Sequence, residues 1–385
     1  MLPAHGSLGV LGFLAGVALL ALLTRDRGLS FATAAWLVPT CVLVSFSVAM
    51  ATKIVTGEER HRYLHYEIAF LASVPLVLWL AGEPVLPYLD IVLMGLGTVL
   101  AFGRVGCLLA GCCHGKPADR GVRYGEAHVA GGFLPELAHV RLFPVQLLEA
   151  ALVAGLVAVG VVLIVSGAEP GSAATWYVMG YGVIRFALEY LRGDSVRSYI
   201  GGFSWVQWTV LAMAGVTVAL EAAGVLPFVP WHAAALAVMA GVVVLGRRPP
   251  GIGHPRHVRE LAAVLRELDP PPPIGLPVRT TSLGVSVSSG WLAREGRRYR
   301  LYSLSRIGGL DEPAARRLAT LVARLEGAPP GWTLVSGDRG VFHLLVAQPG
   351  AQETPRELSP EPHGAGLASS HAHLTSPRRP RGARP

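Results

Sequence analysis

The sequence predicts an all-α polytopic membrane protein with seven or eight transmembrane helices and a small C-terminal α+β soluble module. Three observations predict it. Of 385 residues, 52% are hydrophobic and only 15% charged, whereas soluble domains carry about a quarter charged residues. The apolar residues gather into runs near the ~20 residues a helix needs to cross hydrocarbon. The charge is also divided: residues 1–246 carry 13 Lys and Arg against 14 Asp and Glu, and residues 247–385 carry 20 against 11.

In chain order, spans are expected at 6–23, 33–52, 66–82, 88–103, 145–166, 174–191, 204–224 and 229–246. The last is short and follows Pro227 and Pro230. No Lys or Arg precedes the first run, and a cleaved signal peptide carries a basic stretch there, so this run reads as a retained span. Trp36, Tyr88, Trp176, Tyr190, Trp205 and Trp231 fall near span ends, where aromatic rings anchor at the membrane interface. These runs define a transmembrane region over 1–246. Within it, 104–144 is too polar to span, and loops of this length tend to be functional or disordered. Basic residues favour the side holding the 53–65, 104–144 and 192–203 loops, which the positive-inside rule reads as cytoplasmic unless the arginines bind substrate.

Beyond the last span the character changes. Residues 247–280 read as an amphipathic helix (256–268) and a stiff linker containing Pro270–Pro273. Residues 281–349 read as the α+β module, with strands near 281–288, 298–305, 332–336 and 341–347. Its helix at 312–326 has Asp311 as N-cap and Pro313 in the first turn. Residues 350–385, rich in Pro, Ser, His and Arg, read as a disordered tail. The basic C-terminal part suits anionic lipid headgroups. It lacks the aromatic–basic interleaving and zinc-finger spacing of a nucleic-acid module, so no nucleic-acid partner is expected.

Three stretches could carry chemistry. Gly103 to Pro117 begins at a span end and holds Arg104, four glycines, Cys107, Cys112, Cys113 and His114. A guanidinium at that depth can hold a phosphate bidentately; an isolated one ordinarily snorkels to headgroups. Arg185 and Glu189 lie one helical turn apart inside an apolar run. An arginine at mid-bilayer costs about 2.5–3.5 kcal/mol, which makes it a functional candidate beside the plainer reading of an interhelical ion pair. Gln146 and Glu149 share a face at a helix start after Pro144. The four cysteines form no disulfide framework. Adjacent Cys112 and Cys113 fit the spacing of zinc ligands poorly, so no metal or cofactor is expected.

Together these stretches resemble the prolipoprotein diacylglyceryl transferase family. Its Gly-Arg-x-Gly-Asn-Phe-x-Asn-x-Glu-x-x-Gly pattern is matched at Gly103, Arg104, Gly106 and Gly115. Its Pro-x-Gln-Leu-Tyr-Glu-Ala segment is matched at Pro144, Gln146, Leu147, Glu149 and Ala150. Its Tyr-Gly-x-x-Arg-Phe-x-x-Glu-x-x-Arg segment is matched at Tyr181, Gly182, Arg185, Phe186, Glu189 and Arg192. Cys107, Ala110 and Cys112 replace two asparagines and a glutamate of the pattern, and the family's His-Gly-Gly before the third span is absent.

The resemblance implies transfer of diacylglyceryl from phosphatidylglycerol to the lipobox cysteine of a prolipoprotein, by a multi-pass protein of the bacterial cytoplasmic membrane surrounded by membrane lipids. Arg104 and Arg185 would be catalytic, stabilising the leaving phosphate. His65 would take the thiol proton, with His61 and His114 behind it. Arg104, Gly106, Gly115, Gln146, Glu149, Tyr181, Arg185 and Glu189 would bind substrate. Two alternatives stay open: a non-catalytic lipid- or lipoprotein-binding relative with a soluble effector module, and a thiol-based metal or redox site.

Overall fold

A computed structural model describes residues 3–57, 63–194, 198–246, 251–270, 277–294, 297–329 and 331–352. His61, Pro271–Pro273 and residues 353–385 of the expected tail lie outside the described residues.

Eight apolar helices correspond to the expected spans: α1 (Pro3–Asp26), α2 (Phe31–Thr56), α3 (Tyr63–Leu80), α4 (Val85–Ala110), α6 (Val145–Val165), α7 (Ser172–Leu188), α8 (Trp205–Ala222) and α9 (Pro230–Leu245). Six are long and apolar enough to cross a membrane, while α7 and α9 have 17 and 16 residues. Their outer faces expose Leu14, Leu22, Phe46, Ile54, Trp79 and Val244, as lipid contact requires. Tyr88 departs from the expected interfacial role: it is buried, and its hydroxyl donates to the Ser30 carbonyl.

Small residues let the helices approach closely in lipid, where dispersion replaces the hydrophobic effect. A Cβ on Gly16 of α1 would lie 2.9 Å from the Gly95 carbonyl oxygen of α4. Asp90 of α4 accepts from the backbone N–H groups of Gly171 (2.8 Å) and Ala174 (2.7 Å), capping the start of α7. Glu221 of α8 and His232 of α9 form a fully buried pair that joins the last two helices.

Helix α4 runs past the expected span end at 103 to Ala110, so Arg104, Gly106 and Cys107 are helical. Gly111 closes the helix in the left-handed conformation (φ 78°). The polar connection then forms β1 (Pro117–Val122) and the short α5 (Glu126–Ala130), with Leu142 bridging back to Pro117 and Val122. A two-residue hairpin, β2 (Tyr199–Ile200) and β3 (Phe203–Ser204), leads into α8.

The C-terminal module comprises α10 (Pro255–Glu267), β4 (Arg279–Thr280), β5 (Val285–Arg294), β6 (Arg297–Arg306), α11 (Glu312–Leu325), β7 (Thr333–Ser336) and β8 (Phe342–Gln352). The antiparallel sheet has the order β4-β5-β6-β8-β7, with Val287 opposite Leu304 and Tyr302 opposite Leu344. Asp311 caps α11 by accepting from the Ala314 N–H at 2.7 Å, with Pro313 in the first turn. Strand β8 reaches Gln352, so residues 350–352, grouped with the tail on composition, belong to the sheet, with Gln352 opposite Arg297 of β6.

Two groupings differ from the sequence reading. Helix α10, assigned with the linker, buries Val258, Leu261 and Leu265 in the module's core. That same core includes Tyr124, Phe133, Leu137, Val140 and Leu142 of the polar connection. Loop and module are therefore one packed unit. Asp119 and Arg324 join them by a bidentate pair (2.9 and 2.8 Å), and Arg259 reaches Glu136 at 3.3 Å. This unit sits at the end of the bundle where α4 and α7 finish and α6 begins.

Candidate active site

At that end, four segments aim charged groups at one point. Helix α4 contributes Arg104 from its penultimate turn, α6 contributes Gln146 and Glu149 from its first two, and α7 contributes Tyr181 and Arg185, with Glu189 just beyond it. The turn after α7 adds Arg192 and Asp194. Its backbone is clamped to the 114–116 segment: Gly193 N–H donates to the His114 carbonyl (2.9 Å) and Lys116 N–H to the Leu191 carbonyl (3.0 Å).

Glu149 is the centre. It is fully buried, and three guanidinium groups surround it: Arg104 Nε at 3.1 Å, Arg192 Nη1 at 3.3 Å and Arg185 Nε at 3.9 Å. The Tyr181 hydroxyl also donates to Glu149 Oε1, at 3.0 Å. Arg185 Nη2 lies 2.8 Å from Glu189 Oε1, and Arg192 Nε lies 2.9 Å from Asp194 Oδ1. Unpaired charges do not persist in such surroundings, so the mutual pairing makes the cluster tolerable. It is not saturated. Arg185 Nη1 and Arg192 Nη2 are buried without a hydrogen-bond partner among the described residues. Such donors suit an anion with several acceptor oxygens.

Aromatic groups form one wall. Tyr181 stacks on Tyr177 (centroids 6.0 Å) and meets Tyr63 edge-on (5.3 Å), and the Tyr63 and Tyr177 hydroxyls lie 2.7 Å apart. Glu67, one turn along α3 from Tyr63, is buried without a hydrogen-bond partner among the described residues. Gln146 Nε2 donates to the Cys112 carbonyl at 2.8 Å, tying α6 to the chain beyond α4.

Thus Arg104, Gln146, Glu149, Tyr181, Arg185 and Glu189 come together. Gly106 is buried in α4 two residues past Arg104. Gly115 serves close backbone approach: its N–H donates to the Phe143 carbonyl, and a Cβ there would lie 2.4 Å from that oxygen. His65 lies on the α3 face opposite Tyr63 and Glu67, with its ring 5.2 Å from Trp205.

His114 lies on the segment that clamps the Arg192 turn. Its ring is buried against Phe133, and Nδ1 lies 2.9 Å from the Gly115 carbonyl oxygen. Burial holds its pKa below the ordinary histidine value, so the imidazole is neutral. A carbonyl only accepts, so Nδ1 carries the proton and Nε2 is the basic nitrogen. Cys107, Cys112 and Cys113 have sulfur atoms within 4.8 Å of one another. The αL turn at Gly111 and Cys113 (φ 56°) folds the adjacent pair back beneath Cys107.

Sequence reasoning missed Arg192 as a site residue, as well as Tyr63, Glu67, Tyr177 and Asp194. Tyr177, Tyr181, Arg185, Glu189 and Arg192 follow 3–4 spacing along one face. That stripe of hydroxyl and charge in an apolar helix was the available signal.

By fold and site this is a multi-pass membrane protein with a buried arginine–carboxylate centre at one end of its helix bundle. Residues 68–222 match the sequence model of the family described as prolipoprotein diacylglyceryl transferase. The chain is similar to phosphatidylglycerol–prolipoprotein diacylglyceryl transferase 2 of Clostridium perfringens (strain 13 / Type A), 35% identical over 127 residues, which are 32% of this chain and 46% of that one. It is also similar to phosphatidylglycerol–prolipoprotein diacylglyceryl transferase of Clostridium tetani (strain Massachusetts / E88), 36% identical over 111 residues, 29% of this chain and 43% of that one. The chain thus spans less than half the length of these curated relatives. No solved structure matches it.

Proposed function

We propose that this protein transfers the diacylglyceryl group of phosphatidylglycerol to the lipobox cysteine of a prolipoprotein in the bacterial cytoplasmic membrane. The observation that carries the reading is the Glu149-centred arginine cluster with Arg185 Nη1 and Arg192 Nη2 left unsatisfied. In the reaction, the cysteine sulfur forms a bond to the glycerol carbon of the diacylglyceryl group. The bond from that carbon to the phosphate oxygen breaks, and glycerol phosphate leaves. Charge grows on the departing phosphate, and fixed cations in a water-poor site stabilise such charge most effectively.

Arg104, Arg185 and Arg192 hold that phosphate. Glu149 and Glu189 fix the arginines' orientation, and Gln146 secures the start of α6. The thiol must lose its proton, since the thiolate is the nucleophile. That proton goes to a histidine: His65 on α3, or His114 beside the Arg192 turn.

A depletion–complementation experiment tests the reading. The host's own transferase is shut off while wild type, Arg185→Ala, His65→Ala or His114→Ala is expressed, and the mass of a reporter prolipoprotein reports lipidation. Wild type restores lipidation and Arg185→Ala loses it; loss in one histidine variant identifies the base. A well-expressed wild type that leaves the reporter unmodified overturns the reading and favours a non-catalytic lipid- or lipoprotein-binding role.

A further inference from the structure

A second cationic feature lies outside the arginine cluster. Where α11 and the chain before α10 meet the start of β1, a cavity of about 450 Å³ opens. Lys116, Arg306, Arg317 and Arg324 line it, over an apolar floor that includes Val258 and Leu321. No Asp or Glu lines it among the described residues. Arg324 is already neutralised by Asp119. The Lys116 and Arg317 side chains have no hydrogen-bond or ion-pair partner among the described residues, and Arg306 makes only a long contact (3.4 Å) to the Leu283 carbonyl. Three under-compensated cations around one concavity repel one another unless an anion sits between them.

The volume lies within the range of small-ligand pockets, roughly 300–1,000 Å³, and is too small for a polymer. Guanidinium and ammonium groups converging with no acid match phosphate oxygens in geometry and charge. The position is also informative. Lys116 belongs to the segment before β1 that clamps the Arg192 turn, whereas Arg317 belongs to α11, outside the 68–222 match.

We propose that this cavity binds a small phosphate-bearing anion, held by Lys116, Arg306 and Arg317. The bound anion ties α11 to the strand leading from the arginine cluster, so occupancy stiffens the junction between the module and the membrane region. The phosphate comes either from a soluble phosphate ester or from an anionic phospholipid headgroup. This goes beyond the transferase reading and is tested without measuring activity.

The full chain is placed in zwitterionic phosphatidylcholine nanodiscs and titrated calorimetrically with inorganic phosphate and with glycerol phosphate. Hydrogen exchange of residues 114–122 and of α11 is followed in the same discs and in discs containing phosphatidylglycerol. The comparison is an Arg306→Ala/Arg317→Ala double variant, whose changes fall on exposed side chains. Arg316→Ala, also exposed but outside the cavity, is the control. Wild type and Arg316→Ala bind saturably, and the double variant binds at least roughly tenfold more weakly, the loss expected for charge-assisted hydrogen bonds. Any phosphate held by the arginine cluster persists in all three proteins, so it is not the binding that disappears. Binding from solution assigns a soluble ester. Slowed exchange that appears only with phosphatidylglycerol, and only when Arg306 and Arg317 are present, assigns the headgroup. Absence of both effects, or either effect undiminished in the double variant, overturns the proposal.

Discussion

Glu149→Gln is the sharpest perturbation the structure offers. It keeps size and shape and removes one charge that three arginines share at 3.1, 3.3 and 3.9 Å. At an effective dielectric near 20, each pair contributes roughly 4–5 kcal/mol of gross attraction. Desolvation of the carboxylate and repulsion among the arginines offset most of this. The net cost of breaking a buried pair by removing one partner is about 3–5 kcal/mol. For a unit the size of the membrane region, each kcal/mol shifts a melting midpoint by about 2–4 °C, so the variant should melt roughly 6–20 °C lower. Thermal unfolding in nanodiscs at a fixed scan rate reads this. Reporter lipidation should fall about a hundredfold or more, since arginines displaced by an ångström no longer meet the phosphate. Glu189→Gln, which removes the carboxylate 2.8 Å from Arg185 Nη2, should cost less than Glu149→Gln in the same scan. A Glu149→Gln protein that melts within a couple of degrees of wild type, or less far below it than Glu189→Gln does, refutes the shared-anion account.

Further outcomes follow from other contacts. Asp90→Asn loses charge from the cap on Gly171 and Ala174, and should destabilise the bundle by about 1–3 kcal/mol in the same melt. The Arg324 guanidinium holds the Asp119 carboxyl below its usual pKa, so this pair's contribution is full above the ordinary aspartate range and is lost as pH falls through the lowered value. Asp119 is largely exposed and Arg324 about one-third exposed, so solvent screening leaves no more than about 1 kcal/mol at stake. Exchange in 117–122 should rise modestly below about pH 4 and at neutral pH in Arg324→Ala. Elemental analysis of purified protein should find no stoichiometric metal, and thiol titration after unfolding should find four free thiols, the number of cysteines in the chain.

What was legible in the sequence was whatever depends on near neighbours. Membrane spans announce themselves by composition, and Arg185 with Glu189 by two charges one turn apart in an apolar run. Gln146 and Glu149 likewise share a turn at a helix start. What required the fold was long-range. Arg192 matches the family's third segment, but its place in the site is hidden in the sequence because Glu149, its partner, lies 43 residues away. The cysteines looked badly spaced for a cluster because linear spacing does not register the left-handed turn that brings Cys112 and Cys113 back to Cys107. Helix α10 looked like a surface linker because an amphipathic stripe says that one face is covered without saying by what.

The shared core of the polar connection and the C-terminal module has a consequence for biogenesis. Tyr124, Phe133 and Leu137 are synthesised more than a hundred residues before Val258, and more than two hundred before the last strand, which pairs through Gln352. At elongation rates of about 5–20 residues per second, the loop waits on the order of ten seconds with its apolar side chains uncovered while four more helices enter the bilayer. During that interval it is an open docking site for chaperones and proteases. A ribosome that stops after the final membrane helix leaves a chain with every span in place and an uncovered apolar loop, which quality control can recognise.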